Sequence, residues 1–156
     1  MMKNIVNMNW NMFQQKEGII MIKEIVHDIV FLQQKALPAF PGDRQTALDL
    51  LDTLAAHRQE CVGMAANMIG VPKAIIVVNL RMMDLIMFNP VILKKKHSYE
   101  TEEGCLSLSG TRKATRYREI QVEFQDMEFK KQKQTFKDFP AEIIQHEVDH
   151  LQGIVI

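Results

Sequence analysis

The chain has 156 residues, with 19 Lys and Arg against 19 Asp and Glu, so its formal net charge is zero. That balance argues against a nucleic-acid or membrane-surface binder, and two cysteines do not make a disulfide framework. The length suits one domain with a real core, and no apolar run approaches a membrane span.

Residues 1–20 carry Asn4, Asn7, Asn9 and Asn11 through any apolar stretch, a poor match to a signal peptide. They read as an N-terminal extension, with Trp10 and Phe13 as its candidate anchors, ahead of a single domain over 21–156. Residues 22–40 read as extended and irregular, closing in a turn at Pro38, Pro41 and Gly42. Asp43 then marks a helix N-cap, and Ala47, Leu48, Leu51, Leu54 and Ala55 recur at helical spacing. His57 falls at the end of that helix, as a partner for its C-terminal dipole rather than a ligand.

Past a turn at Gly70, Val71 and Pro72, residues 74–78 form a β-branched apolar run, a buried strand. Residues 85–96 form a second extended region, interrupted at Asn89 and Pro90. Lys94, Lys95 and Lys96 read as a solvated strand end, with His97 in the loop that follows. Residues 120–124 alternate with one wet face, and residues 129–136 pair with them across a turn near 125–127. Asp138 or Phe139 opens the last helix, with Pro140 in its first turn and Ile143, Ile144 and Leu151 in the core. These elements give an α+β fold of antiparallel strands packed around a C-terminal metal-binding helix.

That helix carries His146, Glu147 and His150 as H-E-x-x-H. Positions i and i+4 share a helix face, so both imidazoles can aim at one metal ion. Glu147 sits beside them, placed to take a proton from a water activated there. A catalytic site needs a third protein ligand and an open position. Residues 151–156 offer only the weak ligand Gln152, so the third ligand is sought upstream. Cys105, in Glu103-Gly104-Cys105-Leu106-Ser107, is the best candidate. A thiolate binds zinc and iron strongly, and Cys-His-His suits either metal.

The pair E-G-C-L-S and Q-H-E-x-D-H-L resembles the peptide deformylase family, which removes the formyl group from the N-termini of nascent bacterial proteins. A third family motif, G-x-G-x-A-A-x-Q, matches residues 61–68 at Gly63, Ala65 and Ala66. Cys61 replaces its first Gly, and Met68 its final Gln. The resemblance implies Cys105, His146 and His150 as metal ligands and Glu147 as general base. It implies Fe²⁺ as the most active metal, with Zn²⁺ or Ni²⁺ in purified protein. The backbone N–H of Leu106 and the motif Gln would stabilise the oxyanion. Met68 cannot donate that second hydrogen bond. The neighbouring Asn67 could take over only after a local register change.

The resemblance also matches Gly63 to a backbone contact with the peptide, and Arg112 to a position near its C-terminal side. Val62, Phe139 and Ile143 are the candidates for the pocket of the formylmethionyl side chain, and Glu142 would alter its rim. Cys61 reads as a small buried hydrophobe, and Asp149 as a supporting or surface group. The partner implied is an N-formylmethionyl peptide, on a ribosome-associated nascent chain in the cytoplasm, with no nucleic acid or membrane. Two alternatives stand beside this reading. One is a catalytically weakened deformylase-like protein that binds peptide N-termini or regulates. The other is a different amide hydrolase on the same scaffold.

Overall fold

The computed structural model describes residues 20–156. The extension read over residues 1–20, with Trp10 and Phe13, lies outside the described residues except for Ile20. Five strands make one antiparallel sheet in the order β1-β2-β3-β4-β5. They are β1 (Gly63–Ala65), β2 (Ile75–Asn79), β3 (Asp84–Cys105), β4 (Leu108–Gln125) and β5 (Lys131–Lys137). The helices are the short α1 (Ile29–Leu32), α2 (Arg44–Ala56) and α3 (Asp138–Leu151). Every strand neighbours its successor in sequence, so the α+β fold is a twisted meander with helices laid against it.

The four apolar residues of β2, from Ile75 to Val78, are buried, as a continuous β-branched run requires of a central strand. The apolar face of α2 contributes Leu50 and Leu54, and α3 contributes Ile144 and Leu151. Phe88 and Phe124 complete this core from β3 and β4. Helix α3 packs on β4, β1 and β2, which sets its cleft-facing side between β1 and the β3–β4 turn. Gln145 fastens it there: its Oε1 accepts from Tyr117 N–H at 2.9 Å and its Nε2 donates to Tyr117 O at 2.8 Å.

Several local expectations need correction. Asn89 and Pro90 do not end a strand; β3 runs through them with a register shift between Phe88 and Val91. Asn89 takes φ 51°, and its side chain replaces lost ladder bonds by donating to Gln125 Oε1 and Ala39 O. A proline is tolerated at such a bulge. Lys94–Lys96 therefore lie inside β3 rather than at its end, and His97 lies inside the strand at φ 62°. Their exposure reflects a long hairpin whose sides are wet, not a loop. Residues 22–40 contain α1, capped by Asp28 Oδ1 accepting from Val30 and Phe31 N–H. Asp43 precedes α2, but its carboxylate accepts from Phe40 N–H and closes the preceding 3-10 turn instead. His57 ends α2, with Nδ1 2.8 Å from Thr53 O.

Candidate functional site

A two-residue turn, Leu106 and Ser107, joins β3 to β4, so Cys105 stands at the very end of its strand. Glu103 precedes it by two residues, and a strand places such residues on one face. On α3, His146 and His150 are one turn apart, with ring centroids separated by 5.1 Å. The sheet brings these segments together although 41 positions separate Cys105 from His146 (146 − 105). One ligand atom each of Cys105, His146 and His150 lies within 4.8 Å of the others. Cys105 Sγ is 3.3 Å from His150 Nε2.

His146 Nδ1 lies 2.9 Å from Glu103 Oε1. Arg116 grips the same carboxylate with Nε at 2.9 Å and Nη2 at 2.7 Å, and its Nη1 reaches Asp149 Oδ2 at 2.6 Å. Glu103 and Arg116 are both buried. Burial alone would raise the Glu103 carboxyl, but hydrogen bonds from His146 and Arg116 bring it down to about 2. Burial opposes charge on His146 too, yet bonds with Cys105 and Glu103 raise it to about 10. Burial, aided by the charges of His146 and Arg116, lowers His150 to about 3, so that ring is neutral. Burial pushes Glu147 up to about 7, against the charge of His146.

A thiol and two imidazoles are a donor set for zinc or iron. Glu103 occupies His146 Nδ1 and leaves Nε2 for an ion, the usual arrangement for a ligand histidine. Glu147 Oε2 is buried with no hydrogen-bond partner among the described residues, a costly state for a polar atom beside two candidate ligands. The residues present therefore fit a single divalent cation.

The cluster lies at a cleft of about 640 Å³. Of the sequence candidates, Val62, Gly63, Met68, Cys105, Leu106, Phe139, Ile143, His146 and Glu147 all line it. Val62 and Phe139 are exposed at its mouth, while Ile143 is buried. His150 is buried behind Cys105. Arg112 is not brought in: it does not line the cleft, and its Nη1 turns back along the hairpin to Ser109 O at 3.3 Å.

Met68 faces the cleft and Asn67 does not. The Ala66–Ile69 segment is a 3-10 turn. It buries Asn67 on the far side, where Nδ2 donates to His150 O at 3.1 Å. The register change needed for Asn67 to replace a glutamine is absent. Cys61 is half-buried and lines the cleft, and its thiol donates to Gly63 O at 2.7 Å. Burial, helped by the Glu147 charge, pushes that thiol up to about 12. Glu142 forms part of the cleft wall and accepts from Tyr99 Oη at 3.3 Å.

Sequence reasoning missed the Arg116 to Glu103 to His146 relay. Its one available signal was Glu103, an acid two residues before a candidate ligand on a strand. Arg116 carried none, because its placement depends on the register of β3 against β4.

Fold and site together define an α+β protein of the H-E-x-x-H class, with a cysteine as the third candidate ligand. A family model described as polypeptide deformylase matches residues 19–156. The chain belongs to the peptide deformylase family. It is 54% identical over 136 residues to a peptide deformylase of Clostridium beijerinckii, covering 87% of this chain and all of that one. Two solved structures resemble it at TM-scores of 0.78 and 0.77. The first is a class I type b peptide deformylase from Acinetobacter baumannii bound to Met-Ala-Ser. It is 28% identical, and the match covers 88% of this chain and 97% of that one. The second is a peptide deformylase from Legionella pneumophila, 31% identical, with 85% and 82% covered.

Proposed function

We propose that the chain hydrolyses the formamide of N-formylmethionyl peptides, using a divalent cation held by Cys105, His146 and His150. The observation that carries this reading is the cluster of three ligand atoms within 4.8 Å of one another, beside a Glu147 oxygen without a partner among the described residues. When bound, the cation would polarise the formyl carbonyl and lower the pKa of a water toward neutrality. Fe²⁺ is the cation we assign, with Zn²⁺ or Ni²⁺ as substitutes that the same donor set accepts.

Glu147 takes the proton of the attacking water and returns it to the leaving amine, so the C–N bond breaks to formate and a free N-terminus. The N–H of Leu106, beside Cys105 in the cleft, donates to the oxyanion. Val62, Phe139 and Ile143 enclose the methionyl side chain, and the backbone of Gly63 meets the peptide. The substrate is the nascent chain in the cytoplasm, within a domain spanning residues 21–156.

Met68 removes one oxyanion donor from this arrangement, and losing such a donor costs about 10²–10³ in kcat. A peptide-binding role without turnover is the competing reading that Met68 supports. The test is deformylation of formyl-Met-Ala-Ser by anaerobically iron-loaded protein, beside Glu147→Ala and Met68→Gln. Turnover abolished in Glu147→Ala and raised in Met68→Gln supports the enzyme. No turnover in the wild type, with activity in Met68→Gln, supports the binder. No turnover in either overturns the deformylase reading.

A further inference from the structure

The segment after residue 20 runs across the molecule as a strap, pinned at successive points. Met21 N–H donates to Asp52 Oδ2 at 3.0 Å and Lys23 N–H to Thr53 Oγ1 at 2.9 Å, both on α2. Val26 N–H then donates to Met68 O at 2.8 Å. His27 Nδ1 lies 2.9 Å from Ser107 O. Ala36 N–H donates to Leu151 O at 2.9 Å, at the end of α3. The strap thus touches all three segments that build the cleft. Two adjacent residues, Val26 and His27, join the Met68 turn to the Leu106–Ser107 turn.

A carbonyl oxygen only accepts, so the proton of this pair is on His27 Nδ1. Ser107 is buried, and its Oγ has no partner among the described residues. The Ser107–Leu108 peptide is held on one side by the pairing of Leu108 with Cys105 and on the other by His27 at its carbonyl. In a two-residue turn, fixing one peptide plane constrains its neighbours, because only φ and ψ are soft. The peptide two units upstream, across the φ and ψ of Leu106 and Ser107, carries the Leu106 N–H.

We propose that His27 is a positioning residue for the reaction: by holding Ser107 O it fixes the direction of the Leu106 N–H into the cleft. This rests on the reading of Leu106 as an oxyanion donor. With no side-chain donor at position 68, the alignment of the surviving donor is more consequential here.

The test compares His27→Phe, which keeps a ring but has no donor, with His27→Asn, whose amide can place a donor near the Nδ1 position. His27→Leu serves as a second donor-free variant should the larger ring disturb folding. Turnover of formyl-Met-Ala-Ser and amide hydrogen exchange at Leu106 are measured in each. The expected result is a drop in kcat of roughly fivefold to tenfold without a donor, at unchanged KM. Leu106 exchange should quicken in parallel, and His27→Asn should restore both. Wild-type kcat and exchange in the donor-free variants overturn the proposal, as does an equal loss in Asn, Phe and Leu. Should the wild type show no turnover, Met68→Gln decides between the binder and the loss of the deformylase reading. The exchange at Leu106 then still decides whether His27 fixes that N–H.

Discussion

Glu103 Oε1 lies 2.9 Å from His146 Nδ1, and this pair sets which ring nitrogen His146 offers to the cleft. Outer hydrogen bonds of this kind hold a ligand ring's tautomer and raise its basicity. Glu103→Gln keeps an acceptor but loses the charge that balances His146. Affinity for Zn²⁺, measured by chelator competition, should fall about 10–100-fold. Cys105→Ala, which removes a donor outright, should lose more. Unchanged affinity in Glu103→Gln would mean that the carboxylate serves the fold alone.

The partner of that carboxylate gives a stability test. Arg116 is the buried cation between Glu103 and Asp149. Arg116→Met leaves the buried Glu103 carboxylate with only His146 opposite it, and breaking such a pair costs up to about 3–5 kcal/mol in typical cases. Urea denaturation should show a loss of that order. The double change Arg116→Met with Glu103→Leu should recover much of it, because no buried charge then stands alone. A single variant as stable as the wild type would show that water reaches Glu103 freely.

The sequence made the ends of this site plain and hid its middle. His146, Glu147 and His150 follow from helix periodicity alone, and Cys105 from the need for a third donor. Residues 74–78 were legible as a strand, found over Ile75–Asn79, because a β-branched run has few other homes. The length of β3 was not legible. Its exposed stretch of Lys94, Lys95, Lys96 and His97 has no apolar alternation, since the hairpin there is wet, and Asn89 with Pro90 mimics a strand end. The relay through Arg116 was hidden for the same reason, because a register across two long strands cannot be read from either strand. Where Arg112 turns was not legible either, because a position inferred by resemblance does not fix a side chain's direction.

Gly63 was assigned a backbone role, and the packing adds a second constraint. A Cβ there would stand 2.6 Å from Ile143 Cγ2 and 3.1 Å from Glu147 Cγ. The methyl of a β-branched side chain has little freedom to retreat. Gly63→Ala should destabilise by roughly 1–3 kcal/mol through overpacking. It should also lower kcat by displacing Glu147. Ile143→Ala in the same chain should return part of the stability, giving a non-additive cycle. Additive losses would place the strain elsewhere.

Acid stability should report on Glu103. Its carboxyl is held at about 2 against an ordinary 4.5, so the unfolded chain binds the proton more tightly. A depressed carboxyl contributes stability that is fully present above its unfolded value and is lost as pH falls through the folded one. The window is therefore pH 4.5 down to about 2. Urea denaturation in the presence of chelator, so that cation release does not contribute, should show stability falling across that window. The slope lost in Glu103→Gln should approach one proton, about 1.4 kcal/mol per pH unit. Between about pH 5 and 6 the two proteins should run parallel, offset by the weakened pairing with Arg116. Above 6.5 they should converge, because part of the stability that His146 contributes below its unfolded value rests on Glu103 and is lost toward about 10. Parallel curves through the acid window as well would assign the acid sensitivity to other carboxylates and leave the Glu103 pairing without effect on folding.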